Sequence, residues 1–182
     1  MKFREYFRKM RGTTRGSPPR VSNSEILWSW IGAFLGIAAV AWVSHLFFEG
    51  LDRSLMIGSF GASAVLVYGA VRSPLAQPRN LVGGHVLSAI VGVLCWTLLN
   101  QNMWLAESVA VATSTAVMHA TRTLHPPGGA TALIAVIGSP AIHQMGFLFV
   151  IFPATIGPLI LLAIALLVNN VPASRRYPEI WF

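Results

Sequence analysis

The chain has one cysteine, Cys95, and only six acidic residues among 182. A lone thiol inside an apolar stretch excludes an intramolecular disulfide and any cysteine-based zinc site, and reads as a small buried hydrophobe. Charged residues are 10% of the chain against 54% hydrophobic ones, whereas about a quarter of an ordinary soluble domain is charged. The mean hydropathy of +0.63 agrees, so a soluble fold is excluded. The shortage of acids bears on chemistry as well. Glu107 is the single acid inside an expected membrane segment, and there is no pair of buried acids, no nucleophile beside a base and no nucleotide-binding loop, so an enzyme is not expected.

What is present is one apolar stretch after another. Residues 26–48 and 146–168 are long enough to cross a hydrocarbon core of about 30 Å, and residues 81–99 and 104–120 are near the minimum. Residues 55–71 and 127–138 are short and glycine-rich, fit for a crossing, a half-helix or a re-entrant element. Ser22-Asn23-Ser24-Glu25 has the form of a capping box at the start of the first stretch. The expected fold class is an all-α polytopic membrane protein.

The net charge of +7 is unevenly placed, because seven of the thirteen Lys and Arg residues lie in the first twenty positions. That placement points to a membrane surface rather than to nucleic acid. Residues 1–24 form a basic segment, either an interfacial helix or a solvated tail. It is a poor cleavable signal peptide, since the following apolar stretch far exceeds an h-region of about 7 to 15 residues. Six passages from a cytoplasmic N-terminus put every other Lys and Arg inside except Arg53, and leave residues 171–182 as a cytoplasmic tail. Four passages would move Arg72 and Arg79 outside.

The two short segments resemble each other. Gly61-Ala62-Ser63-Ala64-Val65-Leu66 matches Gly129-Ala130-Thr131-Ala132-Leu133-Ile134, and Ser73-Pro74 matches Ser139-Pro140. A membrane domain over 25–170 then divides into halves at 25–101 and 102–170, each with three passages, and the odd number inverts the second half relative to the first. Inverted repeats with interrupted helices are a recurrent transporter plan, with the substrate site between the halves.

The run from Arg122 to Leu133 breaks the apolar pattern with a cation, an imidazole, two prolines and two glycines. Pro126 and Pro127 force an extended backbone before them and favour a helix start after them. Such a start inside the protein offers free N–H groups and a partial positive charge, which Gly128 and Gly129 leave approachable. A small anion suits it. Gly58, Gly61, Ala62 and Ser63 offer the matching surface, with Ser63 in the place of Thr131; close helix packing is the competing reading for the small residues.

His125 is placed to bind the anion, shuttle a proton or tie a loop to a carbonyl, and His85 is the second histidine of interest. Two imidazoles are too few for a metal site, and no cofactor is expected. Arg79 and Arg122 fall at segment ends, to attract anions or to reach lipid headgroups. Asn80 and Asn169 cap helix ends or offer amide donors. Gly32-Ala33-Phe34-Leu35-Gly36 is a G-x-x-x-G pattern that joins subunits or packs within one chain, and the tryptophans read as interfacial anchors.

Thr121-Arg122-Thr123-Leu124-His125-Pro126-Pro127 followed by Gly-Gly-Ala-Thr-Ala resembles the signature of the HPP family of integral membrane proteins. Three more blocks agree: Phe60 to Leu66; Pro74 to Asn80 with Gly83-Gly84-His85; and Asn169-Asn170 with Arg176-Tyr177-Pro178 and Trp181. The resemblance covers roughly residue 26 onward. Some members are assigned as nitrite transporters, so it implies a transporter or channel for a small inorganic anion, nitrite first, in a bacterial inner membrane. The lipid bilayer, the anion and further copies of the chain are the expected partners. The rival expectation is a non-transporting sensor, scaffold or assembly subunit.

Overall fold

The computed structural model describes Phe7, Lys9, Met10 and residues 20–182; the reading of residues 1–24 as an interfacial helix falls mostly outside them. Ser22 opens the first helix by accepting the Glu25 N–H at 3.1 Å. The other half of the capping box is not made, because the Glu25 carboxylate is taken by Arg175. Helix α1 (Asn23–Phe47) is followed by α2 (Gly50–Ala64), which continues through a widened π turn at Val65–Gly69. A short 3₁₀ turn (Pro74–Ala76) leads into α3 (Pro78–Leu99).

The second half runs α4 (Met103–Ala120), α5 (Pro126–Ile137), α6 (Pro140–Met145), α7 (Leu148–Ile151) and α8 (Ile156–Val168). The structure is therefore all-helical over the described residues. By length and composition, Asn23–Phe47, Pro78–Leu99 and Leu148–Val168 can each cross a membrane. The last of these is not one continuous helix, as residues 146–168 suggested. It breaks between α7 and α8, where Pro153 has no N–H to continue the ladder.

Helix α4 ends in a Schellman motif: Arg122 takes a left-handed φ of 58°, its N–H bonds the His119 carbonyl, and the Thr123 N–H bonds that of Met118. An arginine stands where glycine is usual.

The outer helices pack in corresponding ways, whereas the closest pair, α3 on α5, has only a weak counterpart in α8 on α2. Helix α1 lies against α2 and α8, and α4 lies against α5 and α3, with α2 on α5 between them. Ser73 and Ser139 each cap the short helix begun by the proline that follows, accepting from Leu75 N and Ala141 N. Ser59 bonds the Pro127 carbonyl, 68 residues on, which is also the separation of Ser63 from Thr131. Residues in equivalent places of the expected repeat thus meet where α2 packs on α5.

Close approaches explain several glycines. A Cβ on Gly32 or Gly36 would fall 2.6 or 2.3 Å from the Tyr68 ring or hydroxyl. The G-x-x-x-G seam thus receives Tyr68 within one chain, and the Tyr68 hydroxyl donates to the Leu161 carbonyl. On the other side, a Cβ on Gly92 would sit 2.4 Å from the Ala132 carbonyl oxygen, which brings α3 and α5 into backbone contact. The main core gathers Met56, Phe60, Tyr68, Leu81, Phe149 and Leu161.

Candidate functional site

Three elements converge on a buried polar cluster where α2, α3 and α5 meet. From α2 come Ser59 and Ser63, one helical turn apart; from α3 comes His85; from α5 and the residue before it come Thr131 and His125. Ser63, His85 and His125 have no exposed surface and Ser59 and Thr131 have 2%. Burying so many polar groups is tolerable only when each has a partner.

The partners can be assigned proton by proton. The Leu75 carbonyl can only accept, so His125 Nδ1 carries the proton in their 2.8 Å bond. Neutral His125 then accepts at Nε2 from the Ser63 hydroxyl at 2.9 Å. With its one proton committed, Ser63 accepts from His85 Nε2–H at 2.8 Å. His85 Nδ1 is left as an acceptor, filled by the Thr131 hydroxyl at 2.6 Å. Ser59 lies 3.1 Å from Thr131 and 3.0 Å from the Pro127 carbonyl, and can donate to either. The Leu75 carbonyl thereby sets the direction of the whole chain of bonds.

The sequence-derived candidates divide accordingly. His125, His85, Ser63 and Thr131 come together, with Ser63 and Thr131 on opposite nitrogens of His85. Gly128 stands against α3: a Cβ there would meet the Gly84 carbonyl oxygen at 2.8 Å and Ser88 Oγ at 2.9 Å, so its bareness serves packing. Gly129 has one ordinary contact, Val111. Pro126 and Pro127 start α5 without N–H groups, and the Gly128 N–H bonds the His125 carbonyl, which leaves this helix start poor in free donors.

The remaining candidates lie apart from the cluster. Gly58 and Gly61 have open space where a Cβ would go, so neither the site nor close packing claims them. Arg79 donates to the Thr121 carbonyl and Asn80 to the Leu124 carbonyl, holding the extended segment before His125. Arg122 is exposed at the end of α4. Asn169 caps a helix end, donating to the Val67 carbonyl in the last turn of the π segment that ends α2, and it accepts from Arg175.

Sequence reasoning passed over Ser59, Asp52 and the Leu75 carbonyl. Ser59 was findable, one turn before Ser63 and in the place of Pro127. Asp52, in the first turn of α2, accepts both the N–H and the hydroxyl of Ser139, and nothing local in the sequence announces that pairing. Among the described residues, no three His, Cys, Asp or Glu side chains group as metal ligands.

Two clefts lie at opposite ends of α2. One, about 400 Å³, is lined by Glu25, Arg72, Ser73 and Arg175. The other, about 510 Å³, is lined by Glu49, Asp52 and Ser139. At about 1.5 Å per residue, Ser59 and Ser63 stand roughly 14 and 20 Å from the Gly50 start of α2 and roughly 15 and 9 Å from Gly69, where its π turn ends.

The chain closes its basic end with residues 169–180. Asn170 exchanges two bonds with the Tyr177 backbone. The Tyr177 hydroxyl donates to the Ala76 carbonyl, and Gln77 Oε1 accepts the Glu179 and Ile180 N–H groups. Burial pushes the Tyr177 phenol above its ordinary range. The Asn-Asn and Arg-Tyr-Pro blocks are thus the two faces of one clasp on the start of α3.

Comparison with known proteins agrees with this architecture. Two curated proteins of Dictyostelium discoideum, each named only as a transmembrane protein, are 43% identical over 99% of this chain and 44% identical over 98% of it. The chain spans 58% and 64% of their lengths. No solved structure matches it. The family of the HPP transmembrane region matches residues 18–178, nearly the whole helical assembly just described, and this chain belongs to that family.

Proposed function

We propose that the protein moves a small inorganic anion across a membrane, with nitrite the leading candidate. The observation that carries the reading is the buried set of two histidines and three hydroxyls where α2, α3 and α5 meet. Ionisable side chains at membrane depth are costly, and they commonly mark a pathway. The site's place between two clefts, beside the two segments that the expected repeat pairs, suits the plan in which transporters of inverted halves hold their substrate between them. His125 and Ser63 would line the anion's place, and Thr131 and Gly129 would complete its shell from α5. Arg79 and Arg122 would raise the local anion concentration at the basic end.

A bacterial inner membrane with both termini cytoplasmic belongs to the same proposal, on the strength of the basic end. Association of copies would use a face other than Gly32 and Gly36, since Tyr68 fills that seam. The second reading, a non-transporting scaffold or sensor, draws support from one fact. Every ring nitrogen of the cluster already has a protein partner.

The deciding experiment is nitrite flux into proteoliposomes, with empty vesicles, a His125→Ala variant and chloride, nitrate and formate as competitors. The proposal expects saturable flux that the variant lacks. Absence of flux for every anion, from protein shown to be folded and inserted, replaces it with the scaffold reading.

A further inference from the structure

The chain of hydrogen bonds has a second arrangement with one more proton, and this arrangement costs the cluster none of its partners. If His125 Nε2 gains a hydrogen, it becomes a donor to Ser63 Oγ across the same 2.9 Å. The Ser63 hydroxyl proton must then point elsewhere, and the Ser59 carbonyl lies 3.3 Å away to receive it. Ser63 Oγ has two lone pairs, so it accepts from both imidazoles at once while donating backward along α2. One hydroxyl rotation replaces one set of bonds by the other, and no bond to a heavy atom breaks.

The mirror position has the same provision. A proton added at His85 Nδ1 would donate to Thr131 Oγ1, and the Thr131 hydroxyl can turn to the Pro127 carbonyl at 3.5 Å. The longer acceptor makes this the poorer of the two solutions. Both rings cannot be charged together, because their centroids are 5.1 Å apart in a buried setting. The cluster has places for one added proton and excludes a second.

The surroundings fit a site that is neutral when empty and holds a single charge when filled. None of the described residues bonded to either ring is charged. His85 faces His125 from α3, while α2 contributes Ser63 and the Phe60 ring, 5.5 Å from His85. Helix α5 presents Thr131, and the 3₁₀ turn presents the Leu75 carbonyl. Arg79, at the start of α3, is engaged by the Thr121 carbonyl, Arg72 by the Ser174 carbonyl, Arg122 is exposed, and Asp52, farther along α2, is engaged by Ser139. With no carboxylate to neutralise a protonated ring, the natural counter-charge is an anion arriving beside it.

We propose that His125, Ser63 and His85 form a binding site for one proton, which accompanies each transported anion as its coupling ion. The coupling half of this inference rests on the transport reading; the proton site does not. The proton adds to the lone pair of His125 Nε2, Ser63 rotates toward Ser59, and the cationic ring attracts the anion. Departure of both restores the neutral chain of bonds.

The test has two arms, both on the full chain. In the first, ¹⁵N-histidine resonances of the protein in lipid nanodiscs are followed through an acid titration. One proton should enter, shared by the His85 and His125 signals, with the protein still folded. Ser63→Ala should remove that uptake, and Ser63→Thr, which keeps the hydroxyl, should restore it. Two protons, or none down to the pH of unfolding, overturn the site.

The second arm uses nitrite in proteoliposomes with an internal pH dye. A nitrite gradient should carry protons one for one, and an imposed pH gradient should drive uphill nitrite accumulation, which Ser63→Ala abolishes. Flux indifferent to the pH gradient overturns the coupling and leaves anion transport standing. No flux with a normal one-proton titration overturns transport and leaves the proton site standing.

Discussion

Asp52 holds Ser139 twice, through its backbone N–H and through its hydroxyl, and so ties the first turn of α2 to the junction of α5 and α6. The pair bridges the two halves at the end opposite the clasp. It also engages the second of the repeated Ser-Pro corners.

Charge-assisted bonds to a buried carboxylate contribute about 1.5–3 kcal/mol. Asp52→Ala should lower stability by about that amount, and Asp52→Asn by less. Thermal unfolding in a single detergent, compared with Ser54→Ala on the exposed side of α2, checks it.

Glu25 and Arg175 meet at 2.8 Å with the arginine side chain 2% exposed, whereas Arg72 and Glu179 are 3.9 Å apart and open to solvent. Removing one partner of a buried pair costs about 3–5 kcal/mol, while a surface pair contributes about 0–1. Glu25→Ala should therefore destabilise strongly and Glu179→Ala hardly at all. Equal effects in the same unfolding assay would remove the buried pair from its structural role.

The glycines divide into two classes. Gly92→Ala would drive a methyl group into the Ala132 carbonyl, whereas Gly58→Ala meets nothing within 4 Å. The first should loosen α3 from α5 and reduce the yield of folded protein. The second should be neutral or gain up to about 1 kcal/mol from helix propensity.

Much of this was legible in the sequence, and the reason is visible residue by residue. His125, His85, Ser63 and Thr131 could be named because prolines, glycines and a repeat mark them locally. The starts of α1, α3, α4 and α5 followed closely from apolar length, the capping box and the prolines, whereas residues 146–168, expected as one span, break at Pro153. What stayed hidden depends on pairing across the fold: Asp52 with Ser139, Tyr68 in the Gly32 and Gly36 seam, Leu75 giving His125 its direction. Gly128 was read as bare for a ligand, and its neighbour is Gly84. Only the crossing of α3 over α5 decides between those readings, and no local pattern encodes a crossing.

The clasp carries a pH dependence of definite sign. Burial raises the Tyr177 phenol above its ordinary value of about 10. The folded state therefore keeps a proton that the unfolded segment releases, so the contribution is complete below about pH 10 and declines as pH rises past it. Limited proteolysis of residues 171–182 should accelerate above that pH. Tyr177→Phe should cleave faster at neutral pH and lose the alkaline step.

Because Gln77 and Ala76 wait for Tyr177, Glu179 and Ile180, the start of α3 is completed by the segment that leaves the ribosome about a hundred residues later. Until then Gln77 Oε1 and the Ala76 carbonyl lack these partners, although α1 to α3 have already been made and Gln77 Nε2 has the Val71 and Ser73 carbonyls. The basic end is thus the last to close, and an interruption of synthesis before residue 177 would leave a bundle whose six main segments are present and whose floor is open.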